Sequence, residues 1–144
     1  MNPSLSMDRV VTADVQAVWR AWTTTAGLAT WWWHTWPDTR YQADAVEGGS
    51  YRIEAAEHGI GVRGTYLAVD EHHRLSFSWV WYEPREGVAV DEPADQVEVT
   101  FAPEEGGTRV RVVHTGPWTS EQAAENYRQG WSFVLDALTR ESAG

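Results

Sequence analysis

VEVTFAPEEGGTRVRVVHTG, residues 97–116, decides the fold. Val97, Val99 and Phe101 fall on one side of an extended chain, with Glu98 and Thr100 on the other. After a glycine-bearing turn at 104–107 the pattern resumes: Val110, Val112 and His114 oppose Arg109, Arg111 and Val113. Strand side chains alternate faces with period two, so this spacing predicts two antiparallel strands sharing one buried face. The same period runs back along the chain. Tyr41, Ala43 and Ala45 alternate with Gln42 and Asp44, Glu47-Gly48-Gly49 turns, and Tyr51, Ile53 and Ala55 alternate with Arg52 and Glu54. His58-Gly59 turns again, 62–69 reads as a strand, and 70–74 is a polar turn. In 75–82, Leu75, Phe77, Trp79 and Trp81 face away from Ser76, Ser78 and Val80. An acidic, proline-bearing loop is expected at 83–94.

Helical spacing brackets this run of strands. Residues 5–11 read as a first strand, followed by an N-cap oxygen from Thr12 or Asp14. Val15, Val18, Trp19 and Trp22 then recur at i, i+3, i+4 and i+7, a helical stripe. A second short helix is expected at 26–31, and Pro37 blocks further helix. At the other end, Thr119-Ser120-Glu121-Gln122 fits a capping box. Tyr127, Trp131, Val134, Leu135 and Leu138 form the apolar stripe behind it, and Glu125, Arg128, Asp136 and Arg140 the wet side. A helix over 120–141 is roughly 33 Å long at 1.5 Å per residue, enough to lie across a whole sheet. The expected fold is α+β, in one domain over 1–144. A curved six- to seven-stranded antiparallel sheet wraps around the long C-terminal helix, with two short helices after the first strand.

Composition narrows the function. A chain of 144 residues suits one domain with a sizeable core. It has no cysteine, which excludes disulfides and thiolate metal sites and suits a cytoplasmic location. The N-terminal MNPSLSMDRVV has neither the basic nor the apolar region of a signal peptide, and no run approaches a membrane span. The formal net charge of −10, with no basic patch, argues against nucleic acid. No His/Glu spacing suits a metal, and no phosphate loop, nucleophile elbow or inward carboxylate pair is found, so neither metal nor cofactor is expected.

Tryptophan is the outlier, with ten residues, at 19, 22, 31, 32, 33, 36, 79, 81, 118 and 131. Indole is large, and its N–H wants a partner, so such a number suggests a wall built to meet something flat and apolar. A strongly bent sheet cannot close over a single helix, and the space left between them is a natural cavity. Its candidate lining is Tyr66, Trp79, Trp81 and His114 from the sheet, Tyr127 and Trp131 from the long helix, and Trp32, Trp33 and Trp36 at the mouth. His114 falls on the buried face. A desolvated imidazole is expected to be neutral and hydrogen-bonded there, as a core residue, a group orienting a ligand, or an acid–base residue.

The residues also carry a resemblance. ADVQAVWRAWT at 13–23, Trp31-Trp32, DAVEGGSY at 44–51, GTYLAV at 64–69, LSFSWVW at 75–81, FAPEEGGTRVRVVHTG at 101–116 and GWSFVLDAL at 130–138 come in a telling order. Together they resemble the SRPBCC (START-like, helix-grip) superfamily, in the branch similar to the activator-of-Hsp90-ATPase homologues. Val46 stands where that branch often has a basic residue, and the run at 31–36 is more aromatic than the family pattern. The resemblance implies a cavity for a hydrophobic ligand, and some members are cyclases or dehydratases of aromatic polyketides. The Hsp90 activators proper carry a further domain with no counterpart here, so chaperone co-activation is not expected. The leading expectation is a monomer or homodimer that binds a hydrophobic, planar or polycyclic small molecule. The alternatives are a polyketide cyclase/dehydratase-type enzyme using the same cavity, with His114 or Tyr66 moving a proton, and a chaperone-type interaction module.

Overall fold

The computed structural model describes residues 4–82, 95–116 and 121–143. The expected loop at 83–94 and the first half of the capping box, Thr119-Ser120, lie outside them. The elements are β1 (Ser4–Val11), α1 (Val15–Thr23), α2 (Thr25–Leu28), β2 (Thr39–Ala43), β3 (Ser50–Ala55), β4 (Ile60–Asp70), β5 (Arg74–Tyr82), β6 (Asp95–Glu104), β7 (Gly107–Thr115) and α3 (Glu121–Ala143). The strands form one seven-stranded sheet in the order β1-β7-β6-β5-β4-β3-β2. All its neighbours are antiparallel. The fold is a helix grip: an open antiparallel sheet, a long C-terminal helix, and two short helices after the first strand.

β1 and β2 are the opposite edges of the sheet, so α1 and α2 carry the chain from one edge to the other. Asp14, rather than Thr12, caps α1, its Oδ1 accepting from the Ala17 N–H at 2.8 Å. From β2 onward the chain meanders back strand by strand. The β6–β7 turn is tight, with Gly106 at φ 87° and Gly107 at φ 154°. A Cβ on Gly107 would lie 2.0 Å from the Val11 carbonyl oxygen, so only glycine lets β7 start beneath the end of β1. Between β4 and β5 the register slips, with Tyr66 opposite Phe77 but Ala68 opposite Ser76. The extra residue, Leu67, is pushed to the outside. Such a bulge bends its strand and raises the local twist.

α3 packs against β1 and is tied to it by Arg9 Nε to Asp136 Oδ1 at 3.0 Å. Val97, Val99, Val110 and Val112 of the hairpin are fully covered, and Leu135 and Leu138 of α3 are equally buried. Phe101 meets Trp19 and Trp22 edge-on, at 5.2 and 6.1 Å between ring centroids. This part of the aromatic set is core.

The second helix is shorter than its expected span of 26–31. It ends at Leu28, and Trp33 takes a left-handed backbone at φ 50°. A helix continued through 31–33 would point successive indoles about 100° apart, leaving part of them in water. The irregular turn brings all three inward instead, with Trp31, Trp32 and Trp33 only 0, 3 and 6% exposed. Trp31 Nε1 donates to the Ala21 carbonyl at 2.7 Å, locking the turn onto α1. A left-handed tryptophan costs about 1–2 kcal/mol, and here the burial of three indoles offsets it.

Candidate functional site

A cleft of about 570 Å³ opens between α3 and the turn at 32–36. Its floor is Trp32, Trp33, Trp79, Trp131 and Val134, all deeply buried. Trp36, Ile60 and Tyr127 are half-buried walls, and Asn126, Gln129, Gly130 and Phe133 form the exposed rim. Small-molecule sites have this form: roughly 300–1,000 Å³, apolar walls and a few polar groups at the edge. No charged side chain lines the cleft among the described residues.

The rings brace one another. Trp131 stands nearly perpendicular to Trp32 (82°) at 5.4 Å, and Trp79 lies 5.2 Å from Trp131 and 5.9 Å from Trp32. At the mouth Trp36 is stacked on His58 at 3.8 Å and on Phe133 at 6.1 Å, with Trp33 tilted against it at 5.4 Å. Tyr41 Oη donates to the Trp32 carbonyl and so fixes the turn onto β2. The indole N–H groups of Trp32 and Trp79 are buried and find no acceptor among the described residues.

His114 sits directly behind this wall and is fully buried. Trp131 Nε1 donates to its Nδ1 at 3.0 Å, and its Nε2 is 2.8 Å from Asp95 Oδ2. An indole N–H can only donate, so Nδ1 accepts and the ring proton sits on Nε2, aimed at the carboxylate. The chain Asp95–His114–Trp131 therefore fixes the orientation of one floor indole. His114 also lies 5.3 Å from the Trp79 ring and 4.5 Å from the Tyr127 ring.

Of the residues singled out from sequence, Trp32, Trp33, Trp36, Trp79, Tyr127 and Trp131 come together around the cleft. His114 supports the cleft from behind without lining it. The side chain of Trp81 lies outside the described ones. Tyr66 is placed elsewhere: it borders a separate void of about 20 Å³ together with Tyr51, Phe77 and Leu75. Several contributors were not singled out as site residues from sequence, among them Asp95, His58, Ile60, Asn126, Gln129, Gly130 and Phe133. Asp95 continues the inward alternation of Val97, Val99 and Phe101, which is the signal that could have found it. Among the described residues no group of three or more His, Asp or Glu is arranged to hold a metal. Nor is any described helix long and apolar enough to cross a membrane.

Burial raises the Tyr51 hydroxyl well above its ordinary pKa of 10.0, with the neighbouring Tyr66 adding to it. Burial also raises Tyr66, and the Asp44 carboxylate pushes it the same way. Both phenols are held neutral in the fold, so their contribution is complete below pH 10 and is lost as pH climbs toward their raised values. Each should then remove about 1.4 kcal/mol of stability per pH unit. Urea unfolding at pH 9, 10 and 11 is expected to show this decline, and Tyr66→Phe should flatten it. A wild-type stability constant across that range would contradict the assignment.

A bent antiparallel sheet gripping a C-terminal helix, with an aromatic cleft between them, defines a helix-grip protein of the SRPBCC class. The chain belongs to the family described as Activator of Hsp90 ATPase homolog 1-like protein, whose model matches residues 12–142. Among solved structures it is similar to protein MLL2253 from Mesorhizobium loti, at 20% identity over 96% of both chains with a TM-score of 0.78. It is similar to DynU16, from the dynemicin biosynthetic locus, at 23% identity and a TM-score of 0.78, covering 97% of this chain and 47% of DynU16, about half its length. CalU16 from Micromonospora echinospora is 27% identical, with 96% of this chain and 74% of CalU16 covered and a TM-score of 0.72. The first two likenesses establish the fold alone. No curated protein matches the sequence.

Proposed function

We propose that this protein binds a hydrophobic, planar or polycyclic small molecule in the cleft between α3 and the 32–36 turn. The observation that carries the reading is an open volume of about 570 Å³ floored by indoles. A domain that used its tryptophans only as core would close over them. Aromatic pairs contribute about 0.5–1.5 kcal/mol each beyond burial, so several contacts together with the apolar area suffice for micromolar affinity, about −8 kcal/mol. Asn126 and Gln129 at the rim and Tyr127 in the wall bring neutral polar groups to the cleft that could orient such a ligand. The engagement of both His114 nitrogens, and its place behind the wall, support holding over turnover. Acid–base work on a bound substrate would need an imidazole nitrogen facing the cleft.

Tryptophan emission tests the proposal. Titration with a panel of polycyclic aromatic compounds is expected to give saturable quenching or a shift for at least one of them. That response should weaken at least tenfold in Trp36→Ala, which opens the mouth and leaves the floor in place. Unchanged emission across the panel would sink the reading.

A further inference from the structure

We infer that the ligand carries a positive charge: a protonated or quaternary amine attached to the apolar frame, held against the indoles of the cleft floor. The inference rests on the small-molecule reading above and specifies its chemistry. Two independent observations lead to it.

The first is what the floor presents. An aromatic ring has a negative face and a positive edge, and the N–H is the most positive point on an indole's edge. At three floor indoles this point is kept from the void. The Trp131 N–H is spent on His114, and those of Trp32 and Trp79 are buried. Ring carbon is what remains to meet the ligand, on rings set at 82° and 46° to one another around Trp32. Crossed rings of this kind, with no Lys or Arg among the lining residues, form the environment that attracts ammonium groups.

The second is a charge behind the wall. The Asp95 side chain is only 11% exposed, and its one partner among the described residues is His114. Because His114 Nδ1 accepts from Trp131, the imidazole brings a single proton, on Nε2, and no compensating cation. Among the described residues this largely buried carboxylate has no cationic partner, an arrangement proteins avoid unless something completes it. A cation in the cleft would complete it across one layer of rings, since His114 touches both Trp79 and Tyr127 of the lining. The net charge of −10 over the whole chain draws cations in and repels anions.

Benzyltrimethylammonium and 2,2-dimethylpropylbenzene share one shape and differ in a cationic nitrogen against a neutral carbon. Each should be titrated into the intact protein, followed by tryptophan emission and by calorimetry. The ammonium compound is expected to bind at least tenfold more tightly. Asp95→Asn keeps an acceptor for His114 Nε2–H and removes the charge, so it should reduce that preference several-fold. The comparison on the unaltered protein decides the matter even if the variant fails to fold. Equal or tighter binding of the hydrocarbon overturns the cation inference and leaves the apolar-ligand reading standing. Failure of both compounds and of the polycyclic panel overturns the two together.

Discussion

His114→Ala is expected to destabilise the protein by about 4–5 kcal/mol, more than most single substitutions. Three losses coincide at this residue. A fully buried ring disappears and leaves a hole, which for aromatic-to-alanine changes costs about 3–5 kcal/mol. The Trp131 N–H loses its acceptor in a site that water does not reach, a penalty of about 1–3 kcal/mol. The Asp95 carboxylate loses its only partner among the described residues while still largely buried. These terms overlap, since a hole can admit water to the stranded groups, so their plain sum overstates the effect. Set against the roughly 5–15 kcal/mol that holds a domain together, the expected loss would leave much of the population unfolded in mild urea. Denaturation curves measure it directly. Repeating His114→Ala in an Asp95→Asn background should recover about 1–3 kcal/mol, because an amide tolerates isolation better than a carboxylate. Costs that simply add, or a single-variant cost below about 1 kcal/mol, would show that the three side chains do not act as a unit.

That network shows where sequence reading stops. The hairpins were legible because one buried face forces strict alternation, and a one-residue slip would turn Val97, Val99 and Phe101 outward. α1 and α3 were legible from their apolar stripes. The turn at 31–36 was not, because a left-handed Trp33 contradicts local preference and is held there by packing with Trp32, Trp36 and Thr39. Alternation also says which face a residue takes but not where along that face it lands. Tyr66 and Trp79 both point inward, yet only Trp79 reaches the cleft. Asp95 was missed because a carboxylate at the end of an acidic loop reads as a solvated group until the register places it near His114. Sorting α3 into a core stripe and a wet side likewise left no category for a third strip, that of Asn126, Gly130 and Phe133, which faces the cleft's opening.

Gly130→Leu is expected to strengthen the fold and abolish most ligand binding, two effects that seldom travel together. Glycine within a helix is unfavourable by roughly 1 kcal/mol relative to alanine, and leucine ranks close to alanine. At Gly130 a Cβ would meet no atom within 4 Å, so a side chain starts out into open space there. The helical gain of about 0.8 kcal/mol should therefore appear as a higher melting temperature. The space that tolerates the side chain is the same space that borders the cleft, next to Tyr127, Trp131 and Phe133. A leucine would occupy the route between α3 and Trp36, and affinity for the tightest compound of the polycyclic panel should fall at least tenfold. Gly130→Ala separates the two effects, since it brings most of the helical gain with little obstruction. Its affinity should stay within about threefold of wild type. Were the leucine variant to bind as well as the wild type, the ligand would have to sit elsewhere. Were both variants less stable, Gly130 would be meeting a neighbour instead of open space. A helix-weakening glycine at the lip of an aromatic cleft makes physical sense as the residue that keeps an entrance open.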